Sequence, residues 1–167
     1  MFFSRGFTLI ELLLYTLLIG ITLLTVSGLL FLLMATRTKN ATIAEVEQQG
    51  AFAMGLMTQT VRSATGITVP VTGTSGTLLM LTVPAGANNP TVFDVSGGAL
   101  RISEGTPAAV NFLTSTRVTL SALTFQNLSR SGTNGTIRIQ FTLSSVNNNG
   151  RNEYSFTKTF YGSATVR

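Results

Sequence analysis

Phe7-Thr8-Leu9-Ile10-Glu11 begins the stretch of sequence that decides the fold, an apolar run of 29 residues from Phe7 to Ala35. At 1.5 Å per residue this run would form a helix roughly 43 Å long, which exceeds the ~30 Å hydrocarbon core of a bilayer. A secretory signal peptide has a shorter apolar region, about 7 to 15 residues long, that ends in small residues. The run therefore predicts a membrane-spanning helix that is retained in the mature product.

Glu11 is the one charged residue inside this run. A charge at the centre of a membrane helix costs about 2.5 to 3.5 kcal/mol on insertion scales, and less near the edge, where Glu11 lies. A charge removed from water needs a partner of opposite sign. Glu11 is therefore the first candidate functional residue, and an ordinary single-pass anchor with an incidental glutamate is the alternative.

The residues around Glu11 resemble a known processing signal. The segment Gly6-Phe7-Thr8-Leu9-Ile10-Glu11-Leu12-Leu13 is similar to the class III signal peptide, the cleavage and N-terminal methylation motif of type IV prepilins and pseudopilins. The resemblance implies that a prepilin peptidase cuts after Gly6, removes residues 1–6 as a leader peptide and methylates the new amino terminus of Phe7. It also implies that Glu11 is an assembly carboxylate, which pairs with the amino terminus of a neighbouring subunit.

The helical pattern continues beyond the apolar run, because the next proline is Pro70 and small or apolar residues recur at helical spacing. The predicted core-facing stripe consists of Ile43, Val46, Gly50, Ala53, Met57, Val61 and Ala64, widened by Phe52 and Leu56. The sequence thus predicts one long N-terminal helix, with a transmembrane half over residues 7–35 and an amphipathic half over residues 36–65.

The remaining segment, residues 66–167, is rich in Thr, Ser, Asn, Gly and Val, which is typical of strands and turns. Apolar and polar residues alternate from Thr136 to Ser144, and a turn at residues 147–150 leads to a return strand at residues 153–161, whose apolar pattern Lys158 breaks. Further strands are predicted at residues 77–83, 91–95, 99–102 and 118–128, the last being one strand or two. We therefore expect an α+β, type IV pilin-like fold, with the long helix packed against a C-terminal antiparallel β-sheet head.

The composition argues against several kinds of active site. The chain has no histidine and no cysteine, so a Ser-His-Asp or Cys-His arrangement cannot be built and the commonest zinc ligands are missing. The acids after Gly66 are Asp94, Glu104 and Glu153, which are scattered along the sequence, and Gly73-Thr74-Ser75-Gly76 lacks a P-loop lysine and reads as a flexible turn. We therefore expect a protein that is not an enzyme, with no catalytic residue, no cofactor and no metal ligand.

The predicted head carries seven cations and three acids, a balance of +4. Basic surfaces bind phosphate groups, so a DNA-binding minor pilin of a competence system is one alternative to a structural subunit. The cations are Arg101, Arg117, Arg130, Arg138, Arg151, Lys158 and Arg167. Their spread along the sequence favours a solvated surface over a nucleic-acid site. A single-pass, membrane-anchored surface domain is the third hypothesis.

Short segments of the helix end and the head also resemble minor pilins of the J or W type. These segments are Val61-Arg62-Ser63-Ala64, Leu113-Thr114-Ser115, Leu123-Thr124-Phe125 and Ala164-Thr165-Val166-Arg167. The resemblance implies a pilin or minor pseudopilin of a type IV pilus or a type II secretion-like pseudopilus. It would lie in the cytoplasmic membrane with its head outside, and then in a periplasmic or extracellular fibre. Its expected partners are the prepilin peptidase, other pilin or pseudopilin subunits, the inner-membrane assembly platform and membrane lipid, with nucleic acid less favoured.

Overall fold

The computed structural model describes residues 8–84, 86, 88–130, 132 and 135–167. Helix α1 extends over Leu9–Ser63, and a short 3-10 helix lies at Asn152–Tyr154. The strands are β1 Gly66–Val69, β2 Ser75–Gly76, β3 Leu79–Thr82, β4 Thr91–Ser96, β5 Ala99–Glu104, β6 Ala109–Phe112, β7 Val118–Asn127, β8 Thr136–Ser145 and β9 Thr157–Thr165. Gly6 and Phe7, the predicted cleavage and methylation residues, lie outside the described residues.

The chain divides into two compact units, Met1–Thr38 and Lys39–Arg167, and α1 contributes residues to both. In the second unit most of the predicted stripe is confirmed, because five of its residues in α1 are buried: Val46, Gly50, Ala53, Met57 and Val61. Ala64, just after the helix, is also buried, whereas Ile43 is only half-buried and lies outside the core. Alanine, valine and methionine at helical spacing give this part of α1 one apolar face, which is the face that a sheet can cover.

The prediction that Phe52 widens this stripe is wrong. Its side chain is 59% exposed, because residue 52 points about 140° around the helix from the centre of the stripe at 100° per residue. Leu56, one turn further along the same side, is half-buried and packs against the core, so the prediction that it widens the stripe is confirmed.

The second unit contains two antiparallel sheets. One has the strand order β1-β3-β4-β5-β6 and the other the order β2-β7-β8-β9. The inward side chains of both sheets join the helical stripe in one core, whose largest fully buried members are Phe93, Phe125, Phe141, Met57, Leu79, Leu81 and Leu100. A long N-terminal helix and antiparallel sheets make the α+β, pilin-like layout that the sequence predicts.

Two glycines allow α1 to lie close to β9. A Cβ atom on Gly50 of α1 would overlap the ring of Phe160 in β9, and a Cβ atom on Gly162 would overlap the side chain of Met54. The Phe160 ring is itself stacked on Phe141, with ring centroids 5.2 Å apart. The helix and the strand therefore contact each other through positions where only glycine leaves room.

The predicted hairpin near the carboxyl end is confirmed, because β8 and β9 pair in antiparallel register. The predicted start of its second strand is wrong. The strand begins at Thr157 instead of Glu153, since residues 152–154 form the 3-10 helix, and it continues to Thr165. The segment from Val118 is one strand with a bulge between Ser121 and Thr124, not two strands.

Three strands have no counterpart in the sequence-based prediction. They are β1, β2 and β6, which are only four, two and four residues long. Ser75 and Gly76, predicted as part of a flexible turn, pair with Gln126 and Phe125 of β7. Runs this short carry too little alternation to be distinguished from loops, so their pairing depends on neighbours that are distant in sequence.

Candidate functional site

Glu11 lies in the first turn of α1, three residues after Thr8. Its backbone amide donates to the Thr8 hydroxyl oxygen at 3.4 Å and to the Thr8 carbonyl oxygen at 3.1 Å. Thr8 is therefore the N-cap residue, and Thr8-x-x-Glu11 has the spacing of a capping box. A carboxylate in the first turn is also favoured by the helix dipole. Glu11 thus occupies the third helical position of this motif and its backbone amide is capped by Thr8, a local feature that the sequence-based prediction missed although the T-x-x-E spacing signals it.

The Glu11 side chain is exposed. Among the described residues, no cation lies within ion-pair distance of its carboxylate. Gly6 and Phe7, the other two predicted site residues, are not described, so their geometry relative to Glu11 is not part of the structure. Glu11 therefore presents a carboxylate at the start of α1 that is accessible to a group from outside the described chain.

The first half of α1 exposes a long and predominantly apolar surface. Every residue from Leu9 to Met34 is exposed. The most apolar window of 18 residues has a mean hydropathy of 2.5 with none of it buried, so α1 is long and apolar enough to cross a membrane. Soluble monomeric proteins seldom leave an apolar patch of this size in contact with water. The surface therefore needs to be covered by lipid or by protein.

Threonine hydroxyls within this apolar half bond to the helix itself. Each hydroxyl group donates to the backbone carbonyl oxygen three residues earlier. The pairs are Thr16 to Leu13 at 2.9 Å, Thr22 to Ile19 at 2.8 Å and Thr25 to Thr22 at 2.8 Å. A hydroxyl group in an apolar environment costs free energy unless it has such a partner. These three side chains are therefore compatible with an apolar environment.

Several cations of the head lie in ion pairs. Arg101 makes a bidentate pair with Asp94, with distances of 2.5 Å and 2.7 Å between guanidinium nitrogens and carboxylate oxygens. The hydrogen bond to Asp94, and then its negative charge, raise the pKa of Arg101 above its ordinary value. Arg151 is paired with Glu153.

Two further pairs join the head cations to acids of α1. The Nζ atom of Lys158 lies 2.6 Å from Oε1 of Glu47, and Nη1 of Arg117 lies 3.8 Å from Oε2 of Glu45. The first pair explains why a lysine interrupts the apolar pattern of β9, since the residue faces a carboxylate of the helix. Four of the seven head cations are therefore paired with acids, which weakens the case for a continuous phosphate-binding surface.

The three acids of the head each have a separate partner. Asp94 and Glu153 form the ion pairs above, and Glu104 accepts a hydrogen bond from the Asn88 amide at 3.2 Å. Within the described ranges, no three side chains of the His, Cys, Asp or Glu type lie close enough to hold a metal ion.

No protein-family model, no curated protein and no solved structure matches this chain. The features that indicate a function are therefore the motif at the start of the chain and the geometry of α1 and the head.

Proposed function

We propose that this chain is a structural subunit, a pilin or minor pseudopilin, of a type IV pilus or a type II secretion-like pseudopilus. One observation carries the proposal: an accessible carboxylate, Glu11, stands in the first turn of a helix whose next 23 residues, Leu12 to Met34, are all exposed. The motif from Gly6 to Leu13 surrounds this same carboxylate. A plain membrane anchor has no use for a charge at that place.

In the proposed mechanism a prepilin peptidase removes residues 1–6 and methylates the new amino terminus at Phe7. The cationic amine of one subunit then pairs with Glu11 of its neighbour, which neutralises two charges within an apolar bundle of helices. The apolar half of α1 exchanges lipid for the helices of other subunits. The β-rich head stays outside this bundle.

The proposal includes a location and a set of partners. Before assembly the chain is a single-pass protein of the cytoplasmic membrane with its head outside, and afterwards it is part of a periplasmic or extracellular fibre. Its partners are membrane lipid, the prepilin peptidase, the inner-membrane assembly platform and other pilin or pseudopilin subunits. The alternative of a DNA-binding minor pilin is less supported, because Arg101, Arg117, Arg151 and Lys158 are paired with acids.

The test is the intact mass and amino-terminal sequence of the protein from membranes of cells that contain a prepilin peptidase. We expect a product that starts at methylated Phe7, and we expect the uncut chain when the peptidase is absent or when Gly6 is replaced by alanine. Gly20→Ala is the matched control, since a Cβ atom at Gly20 contacts nothing within 4 Å. A chain that starts at Met1 in every sample would contradict the proposal and leave a single-pass, membrane-anchored surface domain.

A further inference from the structure

Apart from Ala122 at the bulge of β7, the outer face of β7, β8 and β9 consists of hydrogen-bonding side chains. In β7, β8 and β9 the apolar residues point into the core, and the register of the three strands places the alternate residues together on the opposite face. These outward residues are Thr119, Ser121, Thr124, Gln126, Thr136, Arg138, Gln140, Thr142, Ser144, Thr157, Thr159, Tyr161, Ser163 and Thr165. Twelve of the fourteen carry an aliphatic hydroxyl or an amide, and none is an acid or an aliphatic residue.

Hydroxyl groups on this face bond across the strands. The Oγ1 atoms of Thr142 and Thr159 are 2.9 Å apart, and Ser144 and Thr157 are joined at the same distance. Such cross-strand pairs restrict the rotamers of their side chains. The face is therefore an ordered array of donors and acceptors.

Tyr161 and Arg138 are the two outward residues that carry neither an aliphatic hydroxyl nor an amide, and they lie next to each other. Tyr161 is opposite Gln140, while Arg138 is opposite Ser163 in the adjacent rung. With Gly162 these side chains line a shallow depression of about 420 Å³.

The Tyr161 ring is 70% exposed. Because its outward neighbours are polar, it is not the edge of a larger apolar patch. A tyrosine in this setting offers a flat apolar ring and a hydroxyl group, which suits a ligand that has an apolar face and a rim of hydrogen-bonding groups. A sugar ring has this character, because one of its faces is lined with C–H bonds and its edge with hydroxyl groups.

Arg138 supplies the only positive charge among the fourteen outward residues. Its Nη1 atom lies 3.5 Å from the amide oxygen of Gln126, and no carboxylate of the described chain lies within ion-pair distance of it. One guanidinium group matches one carboxylate in bidentate fashion. A nucleic acid would need several cations to neutralise its phosphates.

We propose that this depression binds a saccharide that carries a carboxylate group. The Tyr161 ring stacks on the sugar, Arg138 pairs with the carboxylate, and Gln140 and Ser163 bond to hydroxyl groups. Three side chains in a rung span about 10 Å across neighbouring strands, which accommodates two linked sugar rings. The site lies on the sheet and is independent of cleavage at Gly6, so it can exist whether or not the chain assembles into a fibre.

The experiment measures saccharide binding to the full chain in lipid nanodiscs, which avoid detergents with sugar headgroups. The probes are oligogalacturonate, its methyl ester, sialyllactose, lactose and a single-stranded DNA oligonucleotide. The test variants are Tyr161→Ala and Arg138→Gln. Tyr161→Phe, which keeps the ring, reports on folding of the strand, and the matched controls Tyr154→Ala and Arg117→Gln remove a tyrosine and an arginine that do not belong to this face.

We expect at least one carboxylated saccharide to bind, with affinity reduced about tenfold by Tyr161→Ala and about tenfold by Arg138→Gln. Tyr161→Phe and the two controls should bind as the unmodified chain does, and the methyl ester should bind more weakly than the free acid. Three results would each overturn the proposal: no saccharide bound at millimolar concentration, equal loss of binding in the control variants, or DNA bound through Arg138 in preference to every sugar.

Discussion

Gly50 is a residue at which one added carbon atom has a large effect on packing. Alanine normally stabilises a helix relative to glycine by about 0.5 to 1 kcal/mol. At Gly50 the new methyl group would overlap the Phe160 ring, which is held in place by Phe141. We therefore expect Gly50→Ala to destabilise the head by about 1 to 3 kcal/mol, the usual cost of overpacking. Thermal unfolding of the full chain in micelles, followed by its near-ultraviolet signal, measures this loss.

Gly55→Ala is the matched control for that prediction, because the same helix leaves open space around Gly55. It should raise the stability of the head by about 0.5 to 1 kcal/mol through helix propensity alone. If both variants changed the melting temperature in the same direction, the close approach of α1 to β9 at Gly50 would be contradicted.

The ion pair between Lys158 and Glu47 is a second feature at the scale of residues. Both side chains are nearly half exposed, so water screens the interaction despite the short distance. We expect a double-mutant cycle with Lys158→Met and Glu47→Gln to give a coupling free energy of about 0.2 to 1 kcal/mol. The coupling should shrink when the measurement is repeated in 1 M salt, where the Debye length is about 3 Å. A coupling that is unchanged by salt would mean that the contact is not mainly electrostatic.

At the scale of elements, the bulge in β7 holds Ala122 in a backbone conformation that is unfavourable for any residue with a Cβ atom. Ala122 has a φ of 52°, in the left-handed region where a Cβ atom costs roughly 1 to 2 kcal/mol. We predict that Ala122→Gly stabilises the head by about 0.5 to 1 kcal/mol, and that Ala122→Val destabilises it. Chemical denaturation of the three proteins measures the differences.

Ser121→Gly provides the comparison within the same strand. Ser121 still pairs with Thr142 in the regular ladder, so glycine there adds chain entropy to the unfolded state without relieving strain. We expect this variant to lose about 0.5 to 1 kcal/mol. A loss of similar size for Ala122→Gly would show that the left-handed conformation is not retained in solution.

The elements also show which parts of the fold the sequence can predict. The long helix is predictable because its apolar run and its buried stripe are both extended patterns. The same is true of β8, whose alternation of inward and outward residues spans ten positions. The short strands β2 and β6 are not predictable, since two or four residues are too few to establish the two-residue alternation of a strand. The 3-10 helix before β9 was missed for a related reason, because Tyr154 and Phe156 mimic strand alternation.

For the whole molecule, the absence of cysteine makes each introduced thiol unique. We predict that Gln48→Cys, on the exposed face of α1, reacts with a membrane-impermeant maleimide added outside intact spheroplasts. Ser27→Cys should react only after the membrane is dissolved and the protein denatured, because the proposed membrane-spanning position would surround this residue with lipid. Labelling of both variants in intact spheroplasts would contradict a membrane location for residues 9–34.

Because Glu11 occupies the third helical position of a capping-box motif, an assembly experiment needs two variants of this residue. Glutamine is also accepted in a capping box, so Glu11→Gln removes the charge and retains a suitable cap, whereas Glu11→Ala removes both. If assembly depends on the charge, both variants should be cleaved normally but should enter fibres at a level reduced by more than about tenfold. Mass spectrometry of membrane and sheared fibre fractions measures this ratio. Normal incorporation of Glu11→Gln would contradict a role for the negative charge of Glu11 in assembly.

The site itself was predictable in part. A lone acid within an apolar run identifies Glu11 from sequence, because charge and hydropathy are local properties. The outward array on the second sheet was not predictable, since Tyr161, Arg138 and Ser163 come together through pairing between strands. Tyr161 in particular lies within the predicted return strand, but nothing local distinguishes an outward ring from an inward one when the register is open.

The threonines of the apolar half of α1 have a consequence for how this helix moves between environments. Thr16, Thr22 and Thr25 already donate to carbonyl groups of their own helix. These hydroxyl groups need no hydrogen-bond partner from outside the helix. Lipid chains and apolar side chains of another helix are therefore equivalent environments for them. When the helix moves from lipid into a helix bundle, none of these hydrogen bonds has to break or be replaced. These bonds therefore add nothing to the activation energy of entry into a bundle or of return to the bilayer.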